Sequence, residues 1–374
     1  MKLTADAGLW STAARMSPAP LVALLEVSGA VLSWPLDDPV AADTPQITFT
    51  DPRRADWLWR VVGESGHVTV ASALAGSAPG GVSTVELAGV DLIAGSTDGL
   101  RRLALGHWLR RWWPASARDG IAGLDAALLD AEIALLTAAA EEFFTDDTFD
   151  SDLESLLAPH PAALAAHVRG GDPRIVEIVT AAADLASDIG IEGAGWALLE
   201  AALEGSGVPA GRRDDYALAA GGDTPTAAAV ANGVDSVRWN AVPPGIFDAA
   251  ENTVQWTVQA GAGAAVATVT VAVGGPAAAT GIPVLLRSGD VSGTGVLDAG
   301  GRALVPLVDA AQRPITESAA WNRDWQATTV MVGADGPVES PELRERIRRF
   351  ARARLQRPAA DAYLAEIVAA ESDY

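Results

Sequence analysis

The chain of 374 residues holds 48 acidic against 26 basic side chains, a formal net charge of −22, and no cysteine. Disulfides, thiolate zinc sites and cysteine nucleophiles are thereby excluded, and a hydrophobic content of 49% with 20% charged residues excludes disorder over most of the length. No stretch approaches the roughly 18 uninterrupted apolar residues of a membrane span, and Asp6, Ser11, Thr12 and Arg15 interrupt the N-terminal segment where a signal peptide needs an apolar core, so a cytoplasmic protein without membrane contact is expected.

The charge is unevenly placed. Residues 121–210 carry 17 acidic and 2 basic residues, whereas 341–374 carry 6 acidic and 7 basic ones. The acidic segment repels phosphate backbones and anionic lipid, which disfavours general nucleic-acid or membrane binding. Lys2 is the only lysine and the other 25 basic residues are arginine, a usage that fits a bacterium with a GC-rich genome.

From Pro20 to about Gly95 the sequence reads as short strands: 21–27, 30–34, 46–50, 57–62, 67–74 and 83–93, parted by Gly, Pro and Asp turn residues such as Leu36-Asp-Asp-Pro39 and Gly76 to Gly81. No helix-length gaps separate them, so an antiparallel sheet is expected. LRRLALGHWLRRWWPAS (100–116) interleaves arginine with tryptophan, a pattern open to a buried helix, a partner-binding face or a nucleic-acid groove. On a helical wheel Ala104, Leu105, Trp108, Leu109, Trp112 and Trp113 fill an arc of about 180° while His107, Arg110 and Arg111 lie opposite, which favours a helix packed on the sheet. Ser96 or Thr97 caps it and Pro114 ends it.

Residues 124–144, 152–157, 161–168, 172–190 and 193–205 have helical periodicity, with Asp172 as a cap before Pro173, and predict an acidic bundle. Residues 208–233, rich in Gly and Ala, read as a linker or long loop. The period then changes to two over 253–260, 265–273, 282–288, 291–297, 302–308 and 326–333, with Asp298-Ala-Gly-Gly301 as a hairpin turn, and predicts a β-sandwich. Within it GTGVLDAGGRALVPL (293–307) resembles the strand–turn–strand signature of transthyretin-like or carboxypeptidase-regulatory-like sandwich modules, although Leu297 stands where that family has a threonine. The resemblance implies an accessory module that stabilises or docks, and brings no catalytic residue.

Helices return at 340–357, opened by Ser340 and Pro341, and at 358–371. Between Glu342 and Arg357 stand seven arginines and two glutamates, beside an apolar stripe of Leu343, Ile347, Phe350 and Ala351. Such a helix is a solvated face, a docking element for the chain's own acidic bundle or a partner, or a nucleic-acid contact. The partner-binding candidates are Arg344, Arg348, Arg349, Arg352 and Phe350.

Motifs of catalytic chemistry fall away on inspection. His67, His107, His160 and His167 include no zinc-protease pair. A calcium loop in 141–154 would start at Asp146, Thr148 and Asp150, but Ser151 replaces its glycine and Leu157 its closing glutamate. Gly261-Ala-Gly263 lacks the third glycine of a dinucleotide loop, Gly190 to Gly195 opens a helix without a preceding strand, and the chain has no phosphate-loop lysine. Ser65, two residues from His67, reads as part of a turn between strands and not as a nucleophile elbow. No catalytic residue, metal or cofactor is expected.

The fold class expected is multidomain α+β: a β-rich domain with a packed helix (1–118), an acidic helical bundle (119–207), a linker or loop (208–233), a β-sandwich (234–339) and an Arg-rich helical tail (340–374). The function expected is that of a non-enzymatic adaptor or scaffold subunit of a cytoplasmic bacterial multiprotein complex, binding a protein partner or itself. The alternatives are a hydrolase with a carboxylate or serine site, and a nucleic-acid-associated regulator acting through the tail.

Overall fold

The computed structural model describes residues 1–6, 8–12, 20–38, 44–76, 83–144, 150–205, 229–260, 263–275 and 277–372. The chain is α+β and divides into two compact units, each built from separated segments: Met1–Arg110, Leu124–Arg212 and Ala353–Tyr374 in the first, Arg111–Gly123 and Arg213–Arg352 in the second. These units cut across the segments expected from sequence, since the N-terminal sheet, the helices of 119–207 and the last helix share one unit.

The first unit holds an antiparallel sheet of β1 (Lys2–Asp6), β2 (Leu9–Ser11), β3 (Val22–Val27), β4 (Ala30–Pro35), β5 (Gln46–Phe49) and β6 (Ser83–Glu86), in the order β3-β4-β5-β2-β1-β6. Alternation places Leu3, Trp10, Leu25, Leu32, Trp34, Ile47 and Phe49 in the core. Two expected strands are corrected: 57–62 and 67–74 fall in a short 3₁₀ turn (Asp56–Leu58) and helix α1 (Trp59–Ala75). Their β-branched residues suggested strands, yet Val62, Gly66 and Val70 recur every four residues and are buried together, so packing of one helical stripe overrides local propensity. Gly63, at φ 74°, breaks the helix near its start. Ser65 therefore sits on a helix two residues from His67, where i, i+2 side chains do not face each other. The expected strand at 83–93 shrinks to β6.

Helix α2 (Asp98–Trp112) buries Leu100, Leu103, Leu105, Trp108 and Leu109, and the Trp108 indole donates to the Pro20 carbonyl at 2.6 Å. Trp108 thus packs as expected, while Trp112 and Trp113 are only half-buried. Five helices follow: α3 (Ala126–Glu141), α4 (Asp150–Leu157), α5 (Pro161–Gly170), α6 (Pro173–Asp188) and α7 (Ala194–Glu204). Asp125 caps α3 by accepting from Leu128, and Asp172 caps α6 by accepting from Arg174. The calcium-loop positions Asp146 and Thr148 lie outside the described residues.

The second unit is a sandwich. A four-stranded sheet, β12-β9-β8-β7, uses β7 (Ala229–Asp235), β8 (Val254–Ala260), β9 (Ala265–Val271) and β12 (Arg302–Pro306); a three-stranded sheet, β11-β10-β13, uses β10 (Pro283–Ser288), β11 (Val291–Val296) and β13 (Thr329–Val332). Val254, Trp256, Val258, Val269 and Val271 meet Val284, Leu286, Val291, Val330 and Val332 in one core. The expected linker is corrected at its end, because 229–233 belong to β7; 208–228 lie outside the described residues.

Asp298–Gly301 is a tight turn, with the Asp298 carboxylate accepting from Gly300 and Arg302 amides at 2.9 Å. It is not a hairpin within one sheet, for β11 and β12 belong to different sheets. Glycine permits the crossing: a Cβ on Gly295 would lie 2.7 Å from the Leu304 carbonyl oxygen. Ser292 bridges Val308 along this border, and along the other the Asp235 carboxylate of β7 accepts from the Val330 amide of β13 at 3.0 Å. A short helix, α8 (Glu317–Trp321), precedes β13, and two helices end the chain, α9 (Pro341–Gln356) and α10 (Leu364–Ser372). No helix of the described residues is long and apolar enough to cross a membrane.

Candidate functional site

The arginine-rich helix α9 buries three of its six arginines, Arg344, Arg348 and Arg354. In the second unit Ile347 and Ala351 are wholly buried and Leu343 and Phe350 half-buried, so the apolar stripe packs as its periodicity requires. Arg344 lies beside it and grips Glu251 through two parallel bonds, Nε to Oε1 at 2.8 Å and a terminal nitrogen to Oε2 at 2.7 Å. Arg348, 4% exposed, donates to Glu251 and to the Ala249 carbonyl at 3.1 Å each, lies 3.3 Å from Asp119, and stands 5.9 Å over the Trp239 ring. Burial alone would raise the Glu251 pKa, but Arg344, the Ser236 hydroxyl and Arg348 outweigh it and hold the carboxyl below its ordinary value.

Of the five partner-binding candidates, Arg344 and Arg348 are therefore buried in pairs with the chain's own carboxylates, Arg352 binds Glu345 at 2.7 Å, Phe350 is half-buried and Arg349 is exposed. The expectation that these arginines face carboxylates of the 121–210 bundle or of a partner subunit is corrected for the bundle, which does not supply the ion pairs shown for this helix among the described residues; these run to Asp119, Glu251, Glu345, Asp361 and Glu366. Asp119, Glu251 and Asp361 come from short connecting segments, Glu345 from α9 itself and Glu366 from α10, which the net charge of a distant segment does not reveal.

In the first unit Arg354 is held by Glu366 at 2.5 and 2.7 Å and by Asp361 at 3.1 Å, and Arg101 binds the other oxygen of Asp361 at 2.9 Å. Beside them Glu132 of α3 accepts from Arg102 of α2 and from the Leu364 amide that opens α10, the latter at 2.8 Å. The Tyr363 hydroxyl donates to the Arg102 carbonyl at 2.6 Å, in a space that only a glycine at 106 leaves free. Burial raises the Glu132 pKa against the opposing Leu364 amide and Arg102, and burial, then Glu132, raises that of Tyr363. A shallow cavity of about 390 Å³ opens here, lined by Arg102, Glu132, Leu135, Leu136, Arg174 and Ile178 among others.

Sequence reasoning passed over Glu132, Tyr363 and Glu366. The available signal was Asp130 and Glu132 inside AALLDAEIALL, two carboxylates on a helix otherwise apolar on every side. Asp130 is likewise buried and meets Arg110 and His160 at 2.9 Å each, while His167 meets Asp125 at 2.8 Å. Both histidines thus tie α5 to α3, in keeping with a structural reading of each.

Among the exposed charged residues of α6, α7 and the turn between them, Arg174 is the one base and the others are acidic. Glu177, Asp184, Asp188, Glu192, Glu200 and Glu204 of these helices and the turn between them are exposed, and so are two large apolar side chains, Ile189 and Leu198, at 40% and 69% exposure. No known protein family matches this chain, and no curated protein or solved structure is found similar to it.

Proposed function

We propose that this chain is a non-enzymatic adaptor or scaffold subunit of a bacterial cytoplasmic complex, and that a basic protein partner docks on the acidic surface of α6 and α7. The observation that carries this reading is the exposure, over α6, α7 and the turn that joins them, of six carboxylates together with Leu198 and Ile189. An apolar anchor supplies affinity, and surrounding charge of one sign selects the partner and speeds encounter. The internal engagement of Arg344, Arg348 and Arg354 supports the same reading over nucleic-acid binding through the tail. The likeness of 293–307 to accessory sandwich modules agrees with it.

Co-purification from the native host tests the proposal, using the wild-type chain beside Leu198→Asp and the double variant Glu200→Lys, Glu204→Lys. A partner retained by the wild type, lost with either variant and released by salt is the outcome expected. A set of bound proteins unchanged by these substitutions overturns the reading.

A further inference from the structure

The outer face of the four-stranded sheet is unlike the rest of this acidic molecule. In register across the strands lie Val234, Gln255, Thr270 and Arg302; then Asn232, Thr257, Thr268 and Leu304; then Gln259, Val266 and Pro306. These residues alternate with the buried ones and are half-buried or exposed, with Val234 at 58% and Leu304 at 62%. The face carries no carboxylate, although the chain has 48, and its one charge, Arg302, sits at a corner.

We infer that this face is a self-association surface, on which a second copy of the chain packs sheet against sheet. Charge argues for the occupant. Two copies with a net charge of −22 each repel over most of their surface, and a face free of carboxylates is where they can approach. Hydrogen-bonding chemistry argues the same way. Threonine hydroxyls and Asn and Gln amides both donate and accept, so each polar group here is complementary to its own copy, which a two-fold interface requires. With the two-fold axis along the strands and between β8 and β9, Thr257 and Thr268 meet near the centre and the Leu304 edge of one copy covers the Val234 edge of the other. Four strands about 4.8 Å apart and about six residues long give a footprint of roughly 400 Å² a side, which places the contact among small, reversible interfaces. This inference is independent of the proposed partner on α6 and α7.

Sedimentation equilibrium of the full chain from about 1 to 500 µM tests it. A monomer–dimer equilibrium is expected that tightens as salt is raised, because salt screens the repulsion between like-charged copies. Leu304→Glu and Thr268→Glu should each weaken it at least tenfold while circular dichroism and melting stay as in the wild type. The absence of cysteine allows a second measurement: a thiol-specific bifunctional crosslinker spanning about 10 Å, the spacing of packed sheets, should link Thr257→Cys into dimers well above the level of Val68→Cys, an exposed control in the other unit. A wild type that remains monomeric throughout, a dimer indifferent to both charged variants, or equal crosslinking of the two cysteine variants overturns the inference.

Discussion

The two ion clusters on α9 and α10 use the same residue types and both enclose an arginine, but they differ in how far they bury its carboxylate. In the second unit the arginines are enclosed and the Glu251 side chain keeps 30% of its exposure; in the first, Glu366 is wholly enclosed and Glu132 nearly so. A half-solvated carboxylate keeps water as a partner if its arginines leave. An enclosed one does not, and its cost of desolvation is offset only while every bond is made. The first cluster therefore behaves as a brittle element of the core and the second as a tolerant clasp.

The largest effect should come from breaking the enclosed pair. Glu366→Ala leaves the Arg354 guanidinium buried without the carboxylate that holds it through two bonds, and a loss of about 3–5 kcal/mol is expected by chemical denaturation. The double variant Arg354→Met, Glu366→Leu sharpens the comparison, because an apolar pair of similar volume should recover most of that loss. A single variant no less stable than the double would break the distinction. Arg344→Ala should cost about 1.5–3 kcal/mol, the range for hydrogen bonds to charged groups, since the half-solvated Glu251 left behind keeps water, the Ser236 hydroxyl and Arg348 as partners.

The clusters should also differ in sign against pH. Glu132 has a raised pKa in the fold, so stability falls as pH rises from its unfolded value, 4.5, through the folded one. Glu251 has a lowered pKa, so its contribution is present above 4.5 and is lost as pH falls through the folded value. Carbon-13 titration of the side-chain carboxyls should place the Glu132 midpoint above 4.5 and the Glu251 midpoint below it. Coincident midpoints would remove the contrast.

The sandwich strands were legible in the sequence, because Val254, Trp256 and Val258, or Val269 and Val271, alternate with polar residues that stay on the outer face. What alternation does not encode is which sheet a strand joins, and so Asp298–Gly301 read as a hairpin. The helices of 124–205 were legible through period and caps, down to Asp172 before Pro173. The stretch 57–74 was not, for its valines suit a strand and only tertiary burial of Val62, Gly66 and Val70 decides for a helix. The candidate arginines stood out by density, yet their partners are separated by 93 residues in the case of Arg344 and Glu251. Composition shows that counter-charge exists, and only the fold shows where it is.

A third contact, His167 with Asp125, lies below both clusters on the same scale and tests whether exposure sets the order. Its side chains keep 27% and 36% of their exposure, so solvent screens them and the pair should contribute about 0–1 kcal/mol. The bond to Asp125 raises the His167 pKa against the opposing effect of burial; Asp125 is lowered, the bonds from His167 and the α3 amides outweighing its own burial. The histidine's contribution is then fully present below 6.5 and fades as pH rises through its folded pKa, while that of Asp125 is present above 3.8 and fades as pH falls. The coupling should be greatest between these two values. Asp125→Asn suits the test because it retains an acceptor for the Leu128 amide at the cap of α3. In a double-mutant cycle with His167→Ala, coupling should be measurable at about pH 5.5 and vanish near pH 9, where the imidazole is neutral. Coupling of equal size at both pH values would make the contact a neutral hydrogen bond, and one above about 2 kcal/mol would show that exposure does not rank the three contacts.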